Sequence, residues 1–172
     1  ALAQLKQAGL RLACTTNKEL RHTERVLVVT GLDGFFDLIV GGGDVVTGPF
    51  SAEVFDRLTS LPDVWFVHGN TERLVIEGSD EYGQDWSVER RRLGDARLTP
   101  LASWPLAVEL EIEGVGRALF CHAIPTADEP IFTKLTPDDE VAALIGDVDV
   151  DLLVVGHTHI QVDRRLPSGL RI

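Results

Sequence analysis

The chain has little cysteine and few basic side chains, and both shortages limit what it can be. Two cysteines among 172 residues cannot build a disulfide framework, so we expect Cys14 and Cys121, each in an apolar run, to be small buried residues. Sixteen Lys and Arg against 27 Asp and Glu give a net charge of −11. That balance argues against a broad surface for nucleic acid or an anionic membrane, because phosphates demand clustered basic residues.

Long hydrophobic runs are also missing. No apolar run approaches the ~20 residues of a membrane span, and no signal peptide is visible in a chain that begins at Ala1. With the low cysteine content, this predicts a cytoplasmic location and no membrane partner. The length, the 44% hydrophobic content and the 25% charged content suit a single globular domain over residues 1–172.

The first part of the chain predicts a parallel sheet. Continuous apolar runs of strand length, typical of strands buried on both faces, occupy residues 10–15, 36–40 and 64–67. Helical spacing separates these runs at residues 17–30, and Ser51 is expected to cap a second helix that runs to about residue 58.

The second part predicts helices and mainly antiparallel strands. Residues 71–104 are polar and helical in character, and their Glu-Arg-Arg-Arg run at 89–92 is expected to be a solvated helix face. Further strands are predicted at residues 106–112, 117–121, 152–155 and 160–166, and a helix is predicted at residues 137–145. The expected architecture is one α/β domain with a mixed or double sheet.

Four polar clusters each follow an apolar strand directly, which is the feature that carries chemistry. Because the carboxyl ends of strands meet at one edge of an open α/β sheet, we expect these side chains to converge. Alternation in a strand would place His157 and His159 on one face. The carboxylate, amide and imidazole donors suit Mn, Fe, Zn, Co or Ni. The predicted ligands are Asp44, Asn70, His122, His157 and His159.

Each cluster alone has an ordinary structural interpretation. A histidine beside a strand is more often a hydrogen-bonded structural residue, and Gly43-Asp44 alone is a common turn. The coincidence of four clusters at four strand ends favours a metal site over these alternatives. His68 beside Gly69-Asn70 is expected to be structural.

The clusters resemble the motifs of calcineurin-like metallophosphoesterases, in particular their small bacterial phosphodiesterase branch, over about residues 20–172. The matching segments are Gly43-Asp44, Gly69-Asn70-Thr71-Glu72, Cys121-His122-Ala123-Ile124-Pro125 and Gly156-His157-Thr158-His159. The resemblance implies a two-sheet β-sandwich flanked by helices, with two metals bridged by Asp44. It implies that Asn70, His122 and His157 complete one metal site and that His159 belongs to the other.

The same resemblance implies a reaction. A phosphomonoester or phosphodiester, as a small phosphorylated substrate, would be hydrolysed by a metal-activated water, with Asn70, Thr71 and His157 as the catalytic residues. Thr71 stands where many members carry a catalytic histidine, so the group that protonates the leaving group is unassigned. Arg73 is expected to line the substrate edge. The motifs predict no particular oligomeric state.

One family motif is replaced. Where the family carries D-x-H after its first strand, this sequence has Thr15 and Asn17, and Asn17 or Glu19 is left as a substitute ligand. The replacement motivates a rival hypothesis, a metal-binding or scaffold domain without catalysis.

The N-terminal ~40 residues resemble a different family, the haloacid-dehalogenase-like hydrolases. Residues 5–18 look like the strand of that family's second motif, with Thr16 as its phosphate-binding threonine, and residues 31–37 look like the connection that follows. A dehalogenase-like phosphatase is therefore a third hypothesis, but its Asp nucleophile would lie upstream of Ala1. We expect a hybrid N-terminus and a C-terminal truncation at Ile172.

Overall fold

The computed structural model describes residues 2–9, 12–16, 29–32, 34–36, 38–60 and 64–172. Within these ranges no helix is long and apolar enough to cross a membrane. The helix predicted over residues 17–30 lies mostly outside the described residues, as do Asn17 and Glu19.

A parallel three-stranded sheet forms the first layer, as predicted. In the order β1-β2-β3, Ala13 pairs with Leu38 and Val40 pairs with Trp65. Parallel neighbours need a crossover connection, and a helix supplies it between β2 and β3. The elements of this part are α1 (Leu2–Gln7), β1 (Ala13–Thr16), β2 (Leu38–Gly41), α2 (Ser51–Thr59) and β3 (Trp65–Phe66).

Helix α2 begins one residue earlier than its sequence signal indicates. Phe50 is the N-cap residue and Ser51 is the first helical residue, buried and without a capping hydrogen bond, so the predicted cap at Ser51 is wrong. The helix is positioned instead by its apolar face, where Val54, Phe55 and Leu58 are buried.

Three short helices follow β3, as the helical character of this segment predicts. Their apolar faces share a core with α2 that contains Phe55, Leu74 and Leu101. The predicted solvated face at residues 89–92 is wrong at its first position, because the Glu89 side chain is buried. The elements are α3 (Asn70–Glu77), β4 (Asp80–Glu81), β5 (Gln84–Asp85), α4 (Ser87–Leu93) and α5 (Asp95–Leu101).

The hairpin β4–β5 is absent from the sequence-based prediction. Tyr82 and Gly83, the two residues of its turn, have φ angles of 57° and 73°. Two central residues with positive φ define the tight turn that matches the twist of a hairpin, and its usual signal is Asn-Gly or Asp-Gly. A tyrosine in the first position hides that signal.

A second three-stranded sheet contains β6 (Ala107–Ile112), β7 (Gly116–Cys121) and β8 (Leu152–Val154). Strands β6 and β7 are antiparallel, whereas β8 joins β7 in parallel, with α6 (Asp138–Ile145) in the connection. Cys121 is buried at the end of β7, as predicted, and burial raises the pKa of its thiol to about 12.

The strand predicted over residues 160–166 is wrong. In this segment the structure has an isolated bridge between Arg165 and Arg171. Leu166 donates to the Leu170 carbonyl at 2.9 Å and Arg164 donates to the Ile172 carbonyl at 2.9 Å, so the segment turns back on the chain end. The apolar alternation extends over residues 160–166, but this pairing involves its last three residues.

The two sheets meet where β3 ends. Val67 packs with Ala118 and Phe120 of β7, and the His68 N–H donates to the Pro105 carbonyl at 2.8 Å, just before β6. The predicted α/β class with two sheets and flanking helices is confirmed. The candidate site lies at the carboxyl ends of β2, β3, β7 and β8.

Candidate metal centre

Four of the predicted ligands follow four strands and lie together, as the sequence indicates. Asp44 follows β2, Asn70 is the first residue of α3 after β3, His122 comes directly after β7, and His157 follows β8. The backbone at Asp44 and at His157 has φ angles of 59° and 62°. Such left-handed conformations are costly for these residues and collect at functional sites.

Two glycines allow the segments to approach this closely. A Cβ atom at Gly43 would lie 2.6 Å from Nδ1 of His122 and 2.8 Å from Cα of Gly69. A Cβ atom at Gly69 would lie 2.5 Å from Oδ1 of Asp44. All three distances are shorter than real Cβ contacts, so any side chain here would push the ligand-bearing loops apart.

The donor atoms surround Nε2 of His122, whose ring is almost completely buried. This nitrogen lies 3.1 Å from Oδ1 of Asn70, 3.0 Å from Nδ1 of His157 and 3.3 Å from Oδ2 of Asp44. Asp44, His122 and His157 each offer a ligand atom within 4.8 Å of the others. Ligands bonded to one ion at ~2.0–2.2 Å are about 3 Å apart, so these donors suit a shared divalent cation.

The outer nitrogens of the two imidazoles determine what the inner ones can do. Nδ1 of His122 lies 2.7 Å from the Gly42 carbonyl oxygen, and Nε2 of His157 lies 3.1 Å from the Glu129 carbonyl oxygen. A carbonyl only accepts, so both outer nitrogens carry the proton and donate. The inner nitrogens of the neutral rings therefore present lone pairs, beside the oxygens of Asp44 and Asn70. This is the arrangement in which proteins fix metal-binding histidines.

The charges at the site agree with a place for a cation. Burial alone would raise the pKa of Asp44, but the hydrogen bond and charge of His122, with the Thr71 N–H, outweigh it and lower that pKa. Burial would lower the pKa of His122, but the Asp44 carboxylate outweighs it and raises the net value. The pKa of His157 is lowered by burial and by the nearby His122. The carboxylate of Asp44 thus favours a positive charge at this point, which is the condition that a cation site requires.

Glu72 is a site residue whose role the sequence analysis missed. Its fully buried carboxylate accepts hydrogen bonds from four backbone N–H groups, and it thereby joins the loop after β2 to the start of α3. Burial and the charge of Asp44 raise its pKa. The available signal was an acidic residue three positions after Gly69, a capping-box position. The four donors are Asp44 at 2.7 Å, Val45 at 2.8 Å, Val46 at 3.3 Å and Gly69 at 2.8 Å.

The other predicted site residues have different surroundings. The backbone N–H of Thr71 donates to Oδ1 of Asp44 at 3.0 Å. Arg73 pairs with Asp128 and Glu129, at 3.1 and 2.9 Å. Thr15 lies in β1, where its backbone pairs with Val40 of β2, the strand that Asp44 follows.

His159 is exposed and does not join the group formed by Asp44, His122 and His157 among the described residues. The expectation that strand alternation places His157 and His159 on one face is wrong. Their φ angles of 62° and 55° turn the backbone away from extended geometry directly after β8. The role of His159 at another metal stays a prediction.

The fold is an α/β domain that brings together, at the carboxyl ends of its strands, a group of side chains able to hold a metal ion. Among solved structures, a metallophosphoesterase from Sphaerobacter thermophilus is similar over 92% of this chain, with 22% identity and a TM-score of 0.64. A hypothetical protein from Pyrococcus horikoshii OT3 is similar over 94% of this chain, with 13% identity and a TM-score of 0.68. No family model and no curated protein matches the sequence.

The chain therefore shares its fold with the Sphaerobacter metallophosphoesterase, in agreement with the fold that its motifs predict. It spans 64% of the length of the Sphaerobacter protein and 75% of the Pyrococcus protein. The resemblance of the N-terminal residues to haloacid-dehalogenase-like hydrolases stays a prediction.

Proposed function

We propose that the chain is a metal-dependent phosphoesterase that hydrolyses a small phosphomonoester or phosphodiester. One observation carries the proposal. Donor atoms of Asn70, His157 and Asp44 lie within 3.3 Å of Nε2 of His122, and carbonyl oxygens hold the outer nitrogens of both imidazoles, so the inner nitrogens are available to a cation. The likeness of the fold to a metallophosphoesterase supports the phosphoryl chemistry.

Asp44, Asn70, His122 and His157 would hold the ion, and their mixed oxygen and nitrogen donors suit Mn, Fe, Zn, Co or Ni. A bound divalent cation supplies charge for a phosphoryl oxygen and lowers the pKa of a coordinated water. One or two ions are consistent with the motifs. The low cysteine content supports a cytoplasmic location for this activity.

The protein's own groups prepare the site before any ligand arrives. Asp44 is ionised at neutral pH because its pKa is lowered, and the Thr71 N–H holds one of its oxygens. Glu72 fixes the backbone around Asp44, so little reorganisation is needed on binding. Arg73 is already matched by two carboxylates, which favours a structural role over direct contact with a phosphate.

The test is hydrolysis of p-nitrophenyl phosphate and bis-p-nitrophenyl phosphate with and without Mn²⁺. Asp44→Asn and His157→Ala should each lower metal-dependent kcat/KM by about 100-fold or more, since changes even to residues behind metal ligands cost ~10–100-fold. Asp56→Asn is the control, because Asp56 pairs with Arg97 on the surface. Turnover that needs no metal, or that survives both changes, would contradict the proposal.

A second candidate is a metal-binding domain without catalysis, favoured by Thr15 and Asn17 in place of the expected D-x-H residues. Metal analysis of the purified protein distinguishes the two. Two ions per chain with turnover support the enzyme, and one ion without turnover supports the alternative.

A further inference from the structure

Glu129 connects the candidate metal centre to side chains that lie outside it. Its backbone carbonyl oxygen accepts a hydrogen bond from the Nε2–H of His157, with an N···O distance of 3.1 Å. Its carboxylate accepts a hydrogen bond from the Tyr82 hydroxyl at 2.6 Å and pairs with Nη2 of Arg73 at 2.9 Å. Both ends of one residue are thus engaged, the carbonyl by the site and the carboxylate by a hydrogen bond from Tyr82 and an ion pair with Arg73.

We propose that Tyr82 and Arg73 are positioning residues for His157. By holding the Glu129 carboxylate, they keep the Glu129 carbonyl oxygen where it accepts from Nε2 of His157, which leaves Nδ1 free of a proton and directed at Asp44 and His122. The inference rests on the proposed function, because it concerns the metal centre on which that function depends.

Arg73 is well placed for this role. It lies three residues after Asn70 on α3, and its Nε donates to both carboxylate oxygens of Asp128, at 3.3 and 3.1 Å. Asp128 is buried, and it precedes Glu129 directly. Arg73 therefore ties the helix that carries one candidate ligand to the loop whose carbonyl orients another.

Tyr82 reaches Glu129 from the tip of the β4–β5 hairpin. Tyr82 is 72% exposed, so its ring contributes little to the core. Its hydroxyl nevertheless donates a short hydrogen bond to Glu129, 47 positions away in the chain. Removing only the hydroxyl should leave the fold intact and release one of the two donors that hold Glu129. Tyr82→Phe is therefore the cleanest change.

The consequence of a loosened Glu129 concerns the tautomer of His157. Without a fixed carbonyl acceptor, the neutral ring also populates the form that is protonated on Nδ1. That form cannot ligate through Nδ1, so the affinity for a metal falls in proportion to the population that is lost. Partners behind a metal-binding histidine typically contribute ~10–100-fold to metal affinity.

The experiment uses the full chain and two measurements. ¹⁵N-histidine NMR of the metal-free protein at about pH 8.5, above the ordinary histidine pKa of ~6.5, reports the tautomer of His157. Calorimetric titration with Co²⁺ reports the affinity. We expect Glu129→Ala to weaken Co²⁺ binding about tenfold, Tyr82→Phe to weaken it by a smaller factor, and both to increase the Nδ1-protonated form.

Two further variants serve as rescue and control. Glu129→Gln keeps an oxygen that accepts a hydrogen bond from Tyr82. Its Co²⁺ affinity and its Nδ1-protonated population should therefore lie between those of Glu129→Ala and the unchanged protein. Arg97→Gln breaks the Arg97–Asp56 pair, a surface ion pair away from the site, and should change neither measurement. Unfolding midpoints of Tyr82→Phe and the unchanged protein should agree.

The outcomes separate this inference from the proposed function. If Tyr82→Phe and Glu129→Ala leave both the tautomer and the Co²⁺ affinity unchanged, the inference is overturned, while loss of binding in His157→Ala still supports the function. If the unchanged protein binds no Co²⁺, the function fails, and the NMR comparison of metal-free variants still decides the inference. A fall in the unfolding midpoint with an unchanged tautomer also overturns it.

Discussion

The carboxylate of Glu72 accepts a hydrogen bond from the backbone N–H of Asp44 at 2.7 Å, across 28 positions of the chain. Asp44 has a left-handed backbone at that point, with φ of 59°. This hydrogen bond to the buried Glu72 side chain thus stabilises the costly conformation that presents the Asp44 side chain to His122. This contact joins the loop after β2 to the helix that follows β3, and so brings two parts of the site together.

Removal of the Glu72 carboxylate should destabilise the protein strongly. Glu72→Ala leaves four backbone N–H groups without their acceptor, and hydrogen bonds to a charged group are worth ~1.5–3 kcal/mol each before relaxation. We expect the free energy of unfolding to fall by about 3 kcal/mol or more. Glu72→Gln keeps one acceptor oxygen and should cost less.

Urea denaturation followed by circular dichroism measures this effect. Glu113→Gln, at an exposed position in the β6–β7 turn, is the matched control and should leave the unfolding midpoint unchanged. A Glu72→Ala protein as stable as this control would show that Glu72 does not hold the loops together.

Alanine at Gly43 should damage both stability and metal binding. Positive φ alone costs an alanine ~1–2 kcal/mol, and the Cβ atom, 2.6 Å from Nδ1 of His122, adds overpacking of ~1–3 kcal/mol. Gly83 is the matched control, with φ of 73° and nothing within 4 Å of a Cβ atom. Gly83→Ala should show the backbone cost alone and bind Mn²⁺ normally. Equal effects of the two changes on Mn²⁺ affinity, measured by titration, would contradict the close-approach argument.

The pair of Asp44 and His122 predicts a pH window for the stability of the metal-free protein. The pKa of Asp44 is lowered from 3.8, so its contribution is present above that value and lost as pH falls through the folded pKa. The pKa of His122 is raised from 6.5, so its contribution is present below that value and lost as pH rises through the folded pKa. The pair should therefore stabilise the metal-free protein most between about pH 4 and 6.5.

Thermal unfolding of the metal-free protein and of Asp44→Asn between about pH 4 and 9 measures this window. The difference in Tm should be largest inside it and should shrink toward alkaline pH. Metal binding should show the opposite trend and weaken on acidification, since an ion must displace the proton on His122. A Tm difference that grows steadily above pH 7 would contradict the assignment.

Much of the site could be predicted because strand ends are visible in a sequence. The apolar runs before Asp44, Asn70, His122 and His157 predict the edge where these residues meet. The same runs predict that the first three strands form a parallel sheet, as they do. The location of such a site can therefore be predicted without knowledge of the side-chain contacts.

The missed features depend on contacts that periodicity does not report. The acceptor role of Glu72 depends on backbone N–H groups 26 to 28 residues away. The turn at His159 and the hairpin at Tyr82 depend on positive φ at residues other than glycine. Alternation in residues 160–166 resembles a full strand, but alternation records exposure, and the bridge to Arg171 pairs the end of the segment and not its whole length.

The central claim is that Asp44, Asn70, His122 and His157 hold a divalent cation. Anomalous X-ray scattering from crystals grown with Mn²⁺ tests it most directly, because the signal locates the ion and counts it. The account predicts a peak within bonding distance of Asp44, His122 and His157, and no such peak in crystals of His157→Ala. An ion-free site in the unchanged protein at saturating Mn²⁺, or an ion bound only elsewhere, would contradict the claim.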